Sequence, residues 1–314
     1  MLAKLNTALD KLMPLITPSS VLLGVVFAEV FQSYSFIVPW VFAFITFSGS
    51  LGFGFKQFFQ VFQHPLPLVV VLVVLHIVMP LIAWATGNLF FSDDPLTVTG
   101  LILAMSIPTG ISSMIWVSIY KGNIPVTLSL ILLDTFLSPF LVPYSLSFLV
   151  GSKVSMDVWG LMQGLFLMVV LPSMIGMLLN HLTSGRVKSW GPKLSPFSKL
   201  SVILVIAVNG AVVSPYLQDL NWKIVTIIAS MLLISSIGYL LGWFLSKIQK
   251  YPPDMMFSMV FNCGMRNTVA GVALALSYFP VQVSIPVIIG TIFQQLLASQ
   301  FGFLIHKYNA ASKI

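Results

Sequence analysis

Apolar and polar stretches alternate along the 314 residues on the length scale of membrane spans. Runs near the roughly 20 residues that cross a bilayer as a helix recur at Pro14–Phe31, Ile37–Phe55, Pro67–Leu89, Ile124–Val150, Val158–Leu182, Ile224–Leu245 and Val281–Ile305. A shorter run, Leu200–Val213, follows the longest polar stretch, Thr183–Lys199. Two further runs are interrupted. Val98–Ile107 and Ile111–Tyr120 flank Pro108-Thr109-Gly110, and Met255–Val260 and Val269–Leu276 flank Phe261-Asn262-Cys263-Gly264-Met265-Arg266-Asn267-Thr268. Each interrupted pair reaches across only if its polar middle lies inside the membrane. The pattern therefore predicts ten spans, with the fourth and ninth broken.

A charge at the bilayer centre costs roughly 3 kcal/mol on insertion scales. Unwound backbone is tolerated at that depth only against protein or a wet cavity. The stretch around Arg266 accordingly reads as half of a substrate site. Each broken segment is fourth in a run of five, and an odd number of spans inverts the second half against the first. This divides the chain into repeats over residues 1–157 and 158–314. Paired broken helices in inverted repeats point to a transporter's binding site. There the half-helix N-termini favour anions and the C-terminal carbonyls favour cations.

Composition narrows the class. Hydrophobic residues make up 58% of the chain and charged residues 7%, against about 25% charged in soluble domains. The fold class is an all-α polytopic membrane protein; a β-barrel would show short alternating segments. The net charge of +7 sits in loops rather than in a basic patch with interleaved aromatics, which excludes a nucleic-acid partner. On the ten-span topology, twelve of the fifteen basic residues fall in one set of loops and tails, and only Lys153 and Lys223 in the other. The excess marks the cytoplasmic side and predicts a multi-pass protein of the plasma or inner membrane with both termini cytoplasmic. Met1–Leu12 reads as an amphipathic lead-in at the inner face, not a cleaved signal.

Candidate chemistry is sparse. Cys263 is the one cysteine, so no intramolecular disulfide forms; it is either a small filler in a tight break or a thiol reachable from the cavity. His64, His76, His181 and His306 share no metal-ligand spacing, and His76 alone is deep enough to be a cavity residue. No metal or cofactor is expected. Gln294, Gln295 and Gln300 in the last span are expected to face the interior. No paired aspartates, zinc-type spacing or Ser–His pair supports an intramembrane enzyme.

The ordered motifs Pro108-Thr109-Gly110-Ile111-Ser112-Ser113, Tyr120-Lys121-Gly122-Asn123, Leu137-Ser138-Pro139 and Gly264-Met265-Arg266-Asn267 resemble those of the bile acid:sodium symporter family. Val38-Pro39-Trp40, Met79-Pro80 and Gly238-Tyr239-Leu240-Leu241-Gly242 extend the match over most of the chain. The resemblance implies a panel of spans 1, 2, 6 and 7, and a core of spans 3–5 and 8–10 in which the two broken helices cross. It also implies alternating access by rocking of core against panel. The auxin-efflux-type carriers share the broken-helix architecture and stand as a neighbouring alternative.

The departures bear on the ions. In sodium-coupled members the resemblance places two sodium ions behind the crossing. The carboxylate position of those sites is Asn262 here, and the Gln position is Arg266. Ser113 and Thr127 keep hydroxyls, while Met114, Ile131 and Leu75 stand where polar ligands are expected and offer no oxygen. Arg266 stays charged throughout any cycle and so can replace a bound cation, with Asp134, the one carboxylate deep in an apolar run, as its expected ion-pair partner. Two roles stay open for Arg266, a structural charge at the crossing or a direct contact to a substrate carboxylate. Asp134 is open as charge compensation or as a proton carrier. Asn262, Asn267, Thr268, Thr109, Ser112 and Ser113 cap freed backbone, contact substrate, or both, and Thr127 joins the ion or charge-compensation set. The expected partners are a small organic anion, the bilayer and a coupling ion, sodium or proton.

Overall fold

The computed structural model describes Leu9, Ile16 and residues 19–54, 65–217 and 221–311. Helices α1 (residues 19–26, resuming as Ala28–Gln32) and α2 (Val38–Ser50) open the described chain. Then come α3 (Pro65–Phe90), α4 (Pro95–Ser106), α5 (Ser112–Ile119), α6 (Ile124–Val150) and α7 (Val158–Leu182). The remainder are α8 (Gly191–Leu217), α9 (Trp222–Ile248), α10 (Pro253–Gly264), α11 (Thr268–Tyr278) and α12 (Ser284–Ala311). No strand occurs among the described residues. Among the described residues, seven helical spans are long and apolar enough to cross a membrane, the broken pair α10–α11 among them. Large apolar side chains such as Phe148, Trp222 and Trp40 stand outward, as hydrocarbon solvent allows and water does not.

The expected boundaries hold where apolar runs are long. Apart from Leu9, the lead-in over Met1–Leu12 lies outside the described residues, as do most of the expected start of the first span and the loop with Lys56 and His64. The short seventh run is corrected. Thr183–Lys199 is not an open loop, since a 3₁₀ turn over Arg186–Trp190 leads directly into α8. Ser195, Pro196 and Lys199 look loop-like in sequence, yet they lie within α8, which runs on through Pro196 as an internal proline, and lysine stems lie along its surface. The last span is corrected in one detail. Gln294 is buried but Gln300 is exposed, because six residues turn a helix far past one full revolution and the two cannot share a face.

Packing groups the helices. α2 lies against α7 and α8, and α1 against α8, while α9 packs on α10 and α12, α3 on α4, and α6 on α4, α5 and α10. Two long helices contain a π-helical turn, Val74–Val78 in α3 and Phe166–Val170 in α7. Such turns insert one residue into the i→i−4 ladder and occur disproportionately at functional sites. The first of them carries His76.

Asp94 shows how the start of a broken helix is pinned. Its carboxylate caps α4, accepting from the Thr97 N–H at 3.2 Å and the Thr97 hydroxyl at 2.5 Å, and pairs with Lys223 at 2.7 Å. Partial burial pushes its pKa up, but Lys223 and the bonds from Thr97 outweigh this and hold it below the ordinary 3.8. The folded value is depressed, so this stabilisation is complete above 3.8 and is lost as pH falls through the folded value. Asp94→Asn keeps the cap and removes only the charge. With Lys223 half exposed, it is expected to cost about 0.5 kcal/mol at neutral pH. The gap to wild type should close in acid, as followed by denaturant titration at a series of pH values. A gap that does not depend on pH would show that the ion pair contributes nothing.

Candidate functional site

The two interruptions meet. Helix α4 stops at Ser106 because Pro108 supplies no N–H and pushes its predecessor into extended backbone, and Ile107 lies at φ −59°, ψ 147°. Helix α10 stops at Gly264, with Met265 extended at φ −101°, ψ 140°. The Asn267 N–H donates across the crossing to the Pro108 carbonyl at 2.8 Å. The Thr109 hydroxyl donates to the Met265 carbonyl at 3.2 Å. A Cβ on Gly110 would stand 3.0 Å from the Arg266 carbonyl oxygen, so the absence of a side chain there lets the two unwound strands touch.

A second layer ties the crossing to α6. The Ser113 hydroxyl donates to the Asn262 side-chain oxygen at 3.1 Å, and the Asn262 amide donates to the Thr127 hydroxyl at 3.2 Å and the Ser258 carbonyl at 2.7 Å. Asn262 thus fills with an amide the place expected for a carboxylate, and its hydrogen bonds are met by neutral groups. Asn267 caps α11 through the Ala270 N–H at 3.3 Å. Ser112 and Thr268 open α5 and α11 and stand outside this cluster. Seven of the expected residues, Thr109, Ser113, Thr127, Asp134, Asn262, Arg266 and Asn267, are therefore brought together.

Arg266 is 3% exposed. Its Nε donates to the Met105 carbonyl at 3.2 Å, and Nη1 donates to the carbonyls of Cys263 at 2.9 Å and Met265 at 3.2 Å. These acceptors lie at the C-terminal ends of α4 and α10, where the last carbonyls have no intrahelical partner and the helix dipoles are negative. The guanidinium thus sits between two negative helix ends. Its own backbone N–H donates to the Gln294 side-chain oxygen at 2.8 Å, and Nη2 has no hydrogen-bond partner.

The expected ion pair between Arg266 and Asp134 does not form. The Asp134 carboxylate is fully buried and already engaged, with Oδ1 2.5 Å from His76 Nε2 and Oδ2 accepting the Thr109 N–H at 2.6 Å. Arg266 instead uses backbone carbonyls, which no side-chain pattern records. Cys263 is fully buried against α9, which fits the filler and not the reachable thiol. Sequence reading undervalued His76 and missed the partner of Gln294. The available signal was the count, since His76, Asp134 and Arg266 are the chargeable side chains that fall deepest within predicted spans.

A model described as the sodium bile acid symporter family matches residues 39–220. The chain is 48% identical over 297 residues to Uncharacterized protein YbaS of Bacillus subtilis (strain 168), covering 94% of this chain and 97% of that one. It is 25% identical over 301 residues to Uncharacterized sodium-dependent transporter YocS of the same organism, covering 92% of each. It is also 29% identical over 186 residues to Probable sodium/metabolite cotransporter BASS1, chloroplastic, of Oryza sativa subsp. japonica, covering 57% of this chain and 44% of that protein.

Proposed function

The chain belongs to the sodium bile acid symporter family, and on that premise we propose that it is a secondary-active carrier of a small organic anion, with Arg266 in the place of a bound sodium ion. The observation that carries the reading is the guanidinium held by the carbonyl ends of α4 and α10. Carbonyl oxygens at negative helix ends are a cation's ligands, and here a cation of the chain itself occupies them. The opposite, positive ends of the half-helices, at Ser112 of α5 and Thr268 of α11, begin at the same crossing. Their first-turn N–H groups, with Thr109, Ser112, Ser113, Asn262, Asn267 and Thr268 around them, suit a carboxylate. The unpartnered Nη2 of Arg266 offers one further donor.

In this reading α1, α2, α7 and α8 are the panel, α3–α6 and α9–α12 are the core, and the two halves of the chain are inverted repeats. The packing of α2 on α7 and α8 supports that division. Rocking of core against panel exposes the crossing to each side in turn, in a cell membrane with both termini inside. Sodium coupling is the second reading, favoured by the names of YocS and BASS1. Against it, Met114, Ile131 and Leu75 bring no oxygen to the positions behind the crossing, and Asn262 brings no charge.

Uptake into proteoliposomes in sodium medium and in choline medium separates the two. The expected result is the same uptake in both, and strict sodium dependence would overturn the substitution of Arg266 for sodium. A thermal-shift screen of small carboxylates, with and without sodium, identifies the substrate in parallel, since a ligand of the native state raises apparent stability.

A further inference from the structure

We propose that His76 and Asp134 form a proton-binding dyad, and that the carrier moves one proton with each monovalent anion. The inference rests on the carrier reading above and adds the coupling ion to it. His76 Nε2 and Asp134 Oδ1 are 2.5 Å apart, with the two side chains 5% and 0% exposed. The other carboxylate oxygen holds the Thr109 N–H. A change of charge in the dyad therefore acts directly on backbone at the break. The imidazole is presented by the π-helical turn Val74–Val78, the one irregular turn of α3.

The dyad has an open position. His76 Nδ1 is buried without a hydrogen-bond partner. A neutral imidazole that donates through Nε2 to Asp134 leaves a bare lone pair at Nδ1. A proton taken from one side of the membrane binds there and converts the ring to imidazolium. Its release to the other side restores the lone pair, so no co-reactant is needed. The other chargeable groups on the elements packed around the dyad are fixed in charge, engaged elsewhere or distant. Arg266 is permanently charged. Asp254 on α10 is bonded to Asn123 at the start of α6, about three turns from Asp134. Tyr239 on α9 donates to the Gln294 carbonyl, and Cys263 is buried beside Gly242. Tyr120 ends α5, Tyr144 lies on the distant half of α6, and Asp157 and His181 stand at the two ends of α7. Helix α4 carries no charged residue.

The charges of the core then give the stoichiometry. With the site empty, Arg266 and Asp134 cancel and His76 is neutral. An anion alone makes the core −1, and a proton alone makes it +1. The two together restore zero. A net charge carried through a low-dielectric interior is strongly unfavourable, so the empty and doubly loaded cores are the forms that cross. The fixed positive charge of Arg266 thus offsets Asp134, and the dyad supplies the mobile one.

Proteoliposomes with [14C]pyruvate and [14C]2-oxoisovalerate as probes separate the dyad from the carrier. Counterflow, with anion on both sides and no gradient, reports the carrier alone. Uptake under an outside-acid gradient reports the coupling. The wild type is expected to show counterflow and to accumulate anion roughly tenfold per pH unit, as one-to-one coupling requires, with no change when valinomycin and potassium set the membrane potential. Asp134→Asn, whose anion-loaded core is neutral without a proton, should retain counterflow and lose acid-driven accumulation, whereas His76→Gln, whose anion-loaded core stays at −1, should lose both. Purified wild type needs no variant: added pyruvate should withdraw one proton per anion bound from weakly buffered solution, read with pyranine. Accumulation that ignores the acid gradient, follows the potential, or survives in both variants would overturn the dyad and leave the carrier standing, as would anion binding without proton uptake. Absence of wild-type counterflow with these anions would overturn the carrier reading, and the inference with it.

Discussion

Replacing Arg266 with methionine is expected to bring transport to background and to destabilise the protein by roughly 3 kcal/mol, the scale for stranding buried acceptors. Methionine approximates the volume but donates nothing. The carbonyls of Met105 and Cys263 would lose the guanidinium donor at the ends of α4 and α10, Met265 would keep only the Thr109 hydroxyl, and Asp134 would lose the positive charge that balances it. Part of the cost is offset, because the variant no longer desolvates a guanidinium. Arg266→Lys should recover little, since a compact ammonium cannot reproduce the planar fork that reaches both helix ends. Arg266→Gln restores the residue of the resembled motif, yet it should not create sodium dependence while Met114 and Ile131 remain. Denaturant titration in detergent and uptake in liposomes read the two effects separately. A methionine variant with wild-type stability and uptake would reduce the guanidinium to a spectator.

Gly264→Ala is expected to cost roughly 2–3 kcal/mol, at the upper end for overpacking, and to slow transport strongly. The added methyl would stand 2.4 Å from ring carbons of Tyr239. That ring cannot swing aside. Its hydroxyl donates to the Gln294 carbonyl at 2.9 Å, and its face stacks on Phe301 at 5.0 Å between centroids. Gln294 in turn accepts the Arg266 N–H, so a displaced Tyr239 disturbs the crossing through one intermediate. Tyr239→Phe should not relieve the clash, whereas Tyr239→Ala should. A double-mutant cycle of Gly264→Ala with Tyr239→Ala would then show the pair costing less than the sum of the single changes. Strict additivity would mean that α9 yields some other way.

Much of the crossing was legible because its causes are local. Pro108 and Gly110 break one apolar run, and Gly264 to Asn267 break another. Both helices stop where these residues require it. The start of α8 was not legible, because Ser195, Pro196 and Lys199 carry loop chemistry and an internal proline ordinarily reads as a helix boundary, yet α8 runs through Pro196. The surroundings of Arg266 were misjudged for a different reason. Sign complementarity suggested Asp134, but the guanidinium uses peptide carbonyls, which every residue possesses. Asp134 found His76, 58 residues away in sequence, and only three-dimensional packing brings them together.

The covalent attachment of the guanidinium carries a thermodynamic consequence. An ion that dissociates on each side of a membrane has a chemical potential there, and the difference can perform work, about 1.4 kcal/mol for each tenfold concentration ratio. Arg266 exchanges with neither compartment. It occupies its carbonyl cage at any ionic composition, so the crossing stays assembled where a salt-dependent site would empty, and no gradient can be spent through it.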